Sequence, residues 1–147
     1  MRISAKGRYA LAAAISMAEN YPGHDFTTVA SLANRLGLSK IYLEQVFSLL
    51  KRGGIVNSIK GAQGGYHLTR KPAQITVLDI LTTTEGNLFE TAEPSVAQKS
   101  PEIDNAMRQT VFAELDQAVR KTLGQYTLQD LVSAAVRQRN EQDMYFI

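Results

Sequence analysis

Residues 53–70, GGIVNSIKGAQGGYHLTR, constrain this chain more than any other stretch. Two β-prone runs, 55–60 and 66–69, flank the turn Gly61-Ala62-Gln63-Gly64-Gly65, with basic residues at its shoulders. The turn is too poor in apolar groups to pack, so it should stand out from the body as a basic hairpin. Its glycines permit positive φ and close approach of the backbone to another surface.

A helix-turn-helix pattern runs directly into this hairpin. Ser4 can cap a first helix over 4–20, which Tyr21-Pro22-Gly23 stops. Thr27 or Thr28 can cap a second, with Val29, Leu32, Ala33 and Leu36 at helical spacing. Gly37 then allows a left-handed turn, and Ser39 caps a third helix with Leu43, Val46, Phe47 and Leu50 on one side. The other side of that helix offers Lys40, Ile41, Glu44, Gln45, Ser48 and Lys51, a hydrogen-bonding strip suited to base edges. A plain solvated face would look the same in isolation. The hairpin that follows favours a winged helix-turn-helix, with Thr28 on the same front.

Charge agrees. The net charge of +2 hides an asymmetry: residues 1–80 hold ten basic groups against four acidic ones, +6, leaving −4 for the rest. Such a split gives the chain a phosphate-facing end. At 147 residues and 44% hydrophobic, it can bury one ordinary core with an appended element.

Other functions find little support. With no cysteine, disulfides, thiol redox switching and cysteine-ligated metal are removed at once. His24 and His67 lie far apart in sequence, so no metal site or cofactor is expected. Asp79, Glu85 and Glu90 have no His, Ser or Lys constellation beside them, and the glycine turn lacks a following Lys-Ser/Thr pair, so no catalytic residue is expected. No run reaches the ~18 apolar residues of a membrane span. The alanine-rich N-terminus reads as an amphipathic core helix rather than a signal peptide. A cytoplasmic protein is expected.

Beyond the hairpin, Thr76 caps a short helix to about residue 84, closing a DNA-binding domain over 1–84. Residues 85–101 read as a loop or linker. A long helix then follows over 102–124, its stripe formed by Ile103, Met107, Val111, Leu115, Val119 and Leu123. Self-pairing across a two-fold axis satisfies such a stripe; packing on its own domain is the bland alternative. Thr127 caps a short packing helix over 128–136, and a polar tail over 137–147 finishes in Met144-Tyr145-Phe146-Ile147. The expected fold is mostly α with a small β-hairpin: a winged helix-turn-helix domain plus a long C-terminal dimerisation helix.

Several spaced motifs together carry a resemblance: MRISAKGRYAL at the start, Leu38-Ser39 and Tyr42-Leu43-Glu44-Gln45 in the third helix, KGAQGGYHL in the hairpin and ITVLDIL after it. They resemble the Rrf-type winged-helix regulators over nearly the whole chain, and among these the cysteine-metabolism repressors. The resemblance implies a homodimer on a dyad operator in double-stranded DNA. It places Ser39, Tyr42, Glu44 and Gln45 at the DNA surface and Lys60 at the wing base, with Arg2, Ser4, Lys6 and Arg8 anchoring phosphates. Cluster-binding relatives use three cysteines in the segment matching 86–106; this chain has none there. The resemblance also implies a partner, cysteine synthase (O-acetylserine thiol-lyase), because serine acetyltransferases insert a C-terminal isoleucine and its carboxylate into that enzyme. Residues 144–147 would mimic that tail; the alternative is that they pack on a neighbouring subunit. Direct sensing of a small ligand and a winged-helix protein-interaction module are the competing readings.

Overall fold

Alanine supplies the centre of the molecule. Helix α1 (Ala5–Glu19) buries Ala10, Ala13, Ala14, Met17 and Ala18, and the alanines let four later helices approach its axis. Ser4 caps it, its Oγ accepting from the Gly7 N–H at 3.1 Å. This computed structural model describes residues 2–21, 26–61, 64–86 and 95–145. His24, Gln63, Glu90, Phe146 and Ile147, named in the sequence reading, lie outside the described residues.

Helix α2 (Val29–Leu36) starts at Thr28, whose Oγ1 accepts from Ser31 N–H at 3.1 Å. It ends on Gly37, left-handed at φ +68°. Helix α3 (Lys40–Arg52) follows after Leu38 and its cap Ser39, and buries Leu43, Val46, Phe47 and Leu50. Burying one such side chain is worth roughly 1.5–3 kcal/mol, so this row fixes which side of α3 faces outward.

Strands β1 (Val56–Ile59) and β2 (Gly65–Leu68) pair antiparallel, Val56 opposite Leu68 and Ile59 opposite Gly65. The paired part of this wing is held against the body. Thr27 bridges the outer edge of β2, its N–H donating to Tyr66 O at 2.8 Å and its carbonyl accepting from Tyr66 N–H at 2.9 Å. The Tyr66 ring lies 4.6 Å from that of Phe47. The expectation of a hairpin standing free of the body is therefore corrected at Gly65 and Tyr66, which pack against Phe26, Thr27 and Phe47.

After a 3₁₀ turn at Pro72–Gln74, helix α4 (Val77–Glu85) opens with a capping box, Thr76 and Asp79 each bonding the other's backbone N–H. A short helix α5 (Ser95–Lys99) occupies the expected linker. The long helix runs from Pro101 to Gln125 as α6 (Pro101–Met107), a π-helical stretch (Arg108–Phe112) and α7 (Ala113–Gln125). Helix α8 (Leu128–Tyr145) repeats the capping box with Thr127 and Asp130. A backbone bridge ties the two boxes together, Val77 N–H to Tyr126 O and Leu128 N–H to Ile75 O, both 2.9 Å.

Two expectations are corrected here. Helix α8 continues nine residues past the expected end at Val136, to Tyr145. The sequence RQRNEQD contains neither glycine nor proline, so its polarity marks exposure rather than unwinding. The long helix's stripe also divides. Val119 and Leu123 pack on their own domain with Leu78, Leu81 and Leu131, whereas Ile103, Val111 and Leu115 are exposed. Geometry explains the division: apolar residues four apart advance about 40° per step around an α-helix. Five such steps carry the row to a different side. Among the described residues no helix is long and apolar enough to cross a membrane.

Candidate nucleic-acid interface

The core row of α3 forces its opposite side outward. Lys40, Ile41, Glu44, Gln45, Ser48 and Lys51 are all exposed. Helical spacing sets Ile41, Glu44, Gln45 and Ser48 on one strip. Beside it, the start of α2, the first turns of α3 and the wing enclose an open groove of about 480 Å³. Thr28 and Val29 line one side, Lys40 and Glu44 the floor, and Ser58, Gly64 and Tyr66 the wing side. The fold thus brings Thr28, Lys40, Glu44, Gly64 and Gly65, separated in sequence, around one opening.

The positive charges separate into two groups. No described carboxylate lies within salt-bridge range of Arg2, Lys6, Arg8, Lys40, Lys51 or Lys60. Arg35 instead pairs with Glu19, and Arg70 with Asp79 at 3.7 Å. Arg52, Lys71, Lys99, Lys121 and Arg137 likewise have no described acidic partner, but the six named first lie at the N-terminus, along α3 and at the wing. That is the distribution a polyanion would need.

Ser4, Tyr42 and Ser39, all expected at the DNA surface, also make structural contacts. Ser4, expected at a phosphate, instead donates its Oγ proton to Glu85 Oε1 at 2.7 Å while capping α1, which commits both that proton and a lone pair. Tyr42 is half-buried, its ring edge-on to Tyr9 at 5.3 Å. Ser39 accepts from Tyr42 N–H at 3.4 Å as a helix cap, yet is exposed, so its hydroxyl proton stays available. Glu85 reads in the sequence as a carboxylate without partners, since a contact with Ser4 across 81 residues leaves no local pattern.

The wing glycines have different reasons. Gly64 holds φ +62°, which disfavours side chains. At Gly65 a Cβ would fall 2.5 Å from the Phe26 ring, so packing, rather than approach to a ligand, excludes a larger residue. Gly61 is exposed, with open space where a Cβ would stand. Phe26, 46% exposed beside this strand, is a further surface residue that the sequence reading passed over.

At the far end, the exposed part of the long helix presents Ile103, Val111, Phe112 and Leu115, with Met107 half-buried. Met144 and Tyr145 are exposed at the end of α8. One carboxylate ties that helix to the front of the molecule: Glu19 of α1 accepts from Arg139 at 2.6 Å and pairs with Arg35 of α2.

Comparison with known proteins gives a consistent picture. Residues 3–134 match the family model Rrf2, described as an iron-dependent transcriptional regulator. The HTH-type transcriptional regulator CymR of Bacillus subtilis is 37% identical over 133 residues, 90% of this chain and 91% of that one. The solved structure of CymR, the global cysteine regulator of B. subtilis, superposes with a TM-score of 0.70 at 35% identity, covering 91% of this chain and 98% of that one. The structure of T. potens IscR gives 0.69 at 32% identity, covering 92% and 88%. The iron in the family description finds no matching cysteine donors here: the chain has no thiolate, and among the described residues no group of three His, Asp or Glu converges.

Proposed function

We propose that this chain, which belongs to the Rrf2 family of transcriptional regulators, binds operator DNA as a homodimer and represses genes of cysteine metabolism. The observation that carries the DNA reading is the meeting of the α3 strip with the wing around one groove, among cations that no described carboxylate neutralises. Two copies paired through the exposed half of the long helix would present two α3 helices to successive major grooves. Gln45 would make a bidentate contact to adenine and Glu44 would accept from cytosine. Lys60 and the wing tip, with Gly61, Gln63 and Gly64, would reach the minor groove, where width and potential are read. Arg2, Lys6 and Arg8 would hold phosphates, with Thr28, Ser39, Lys40, Ser48 and Lys51 along the same front.

The cysteine pathway rests on the likeness to CymR, the cysteine regulator. Sensing would not pass through a cysteine-ligated cluster. The signal would instead come from a partner, cysteine synthase, engaging the sequence 144–147. Exposure of Met144 and Tyr145 supports this.

Electrophoretic shift with genomic fragments at two salt concentrations tests the DNA reading, which requires retarded complexes that weaken as salt rises. Absence of any shift at the lower salt overturns it. Pull-down with cysteine synthase tests the partner separately: deletion of residues 145–147 should abolish capture, and undiminished capture removes the tail from the model.

A further inference from the structure

One member of the α3 strip cannot hydrogen-bond. Ile41, the second residue of α3, is 71% exposed. Among the exposed large apolar residues described, only Met144 and Tyr145, at the end of α8, are more open. Single exposed apolar side chains are ordinary on protein surfaces. The position of this one is not ordinary. It lies in the first turn of α3, three and four residues before Glu44 and Gln45 and seven before Ser48, all exposed on the same strip. The core row of Leu43, Val46, Phe47 and Leu50 is complete on the opposite side, so Ile41 adds nothing to the interior.

The N-terminal residues of a recognition helix are those that meet base edges. A major groove displays one apolar feature, the C5 methyl of thymine. Isoleucine matches it well: branching at Cβ leaves it nearly one side-chain rotamer in a helix, so little freedom is lost on contact. Polar neighbours Glu44 and Gln45 would hold the adjoining base edges and keep Ile41 from sliding along the groove.

We propose that Ile41 is a specificity-determining residue that packs on the C5 methyl of one thymine in each half-site. This assignment rests on the DNA-binding reading above. The test starts with selection of duplexes from a randomised pool by the full-length protein. Each thymine of the enriched duplex is then replaced by deoxyuridine, which removes the methyl and alters no hydrogen-bonding group. One thymine per half-site should weaken binding about fourfold on replacement, the value expected for one methyl group lost from contact. Ile41→Ala should bind the thymine and deoxyuridine duplexes equally. If the wild type tolerates deoxyuridine at every position, or if the variant keeps the full methyl preference, the assignment fails while the DNA-binding reading survives. If no duplex is enriched, both fail together.

Discussion

At the residue scale the candidate interface separates charge from discrimination. Lys60 is exposed at the wing and has no described acidic neighbour in salt-bridge range. Lys60→Ala should weaken all duplexes alike and reduce the slope of log affinity against log salt by about one, read by fluorescence anisotropy. Gln45→Ala should instead change preference, losing roughly 1–3 kcal/mol at one base pair while leaving scrambled duplexes unaffected. An unchanged ratio between specific and scrambled sites would displace Gln45 from the reading face. The glycines of the wing offer a stability contrast. Gly65→Ala drives a methyl into the Phe26 ring and the Thr27 carbonyl, and should cost about 1–3 kcal/mol in thermal or denaturant unfolding. Gly61→Ala meets open space and should stay within about 0.5 kcal/mol. Equal costs at the two positions would contradict the packing explanation.

At the scale of elements, helix starts are the most legible feature of this sequence. Ser4, Thr28, Ser39, Thr76 and Thr127 each precede a helical apolar period, and each side chain does accept from the first turn. Thr127→Ala should remove about 1 kcal/mol of stability by opening the box at the start of α8. A melting temperature equal to wild type would mean that the bridge between Thr76 and Thr127 alone sets that corner. Helix ends are less legible. Nothing in RQRNEQD forbids a helix, and what anchors that stretch, Arg139 on Glu19, joins residues 120 apart. Distance along the chain likewise hides Ser4 against Glu85 and Tyr9 against Tyr42, contacts that exist only once the helices have packed. The wing's make-up is readable from its glycines and basic shoulders; its anchorage through Thr27 is not. Glu19→Gln removes the shared charge between Arg35 and Arg139, and should speed amide exchange over residues 137–145. Global stability should fall by only about 1 kcal/mol or less, because both arginines are substantially solvated.

At the scale of the whole molecule, the two ends complement one another. The front carries uncommitted cations beside a hydrogen-bonding strip, and the outward part of the long helix carries Val111, Phe112 and Leu115, each about half exposed. Pairing two copies there would bring two fronts onto one duplex, and a second front gains from the high effective concentration set by the first. The double substitution Val111→Asp with Leu115→Asp should give a folded monomer in sedimentation, with affinity for a two-half-site duplex lower by about a hundredfold or more. The central claim is that paired copies grip duplex phosphates with the α3 strip and the wing. Its most direct test is the salt dependence of duplex affinity, measured by anisotropy from about 50 to 200 mM salt. Contact with about eight phosphates per dimer requires a log–log slope near −7. Failure to bind at the lowest salt, or a slope near zero, contradicts the claim.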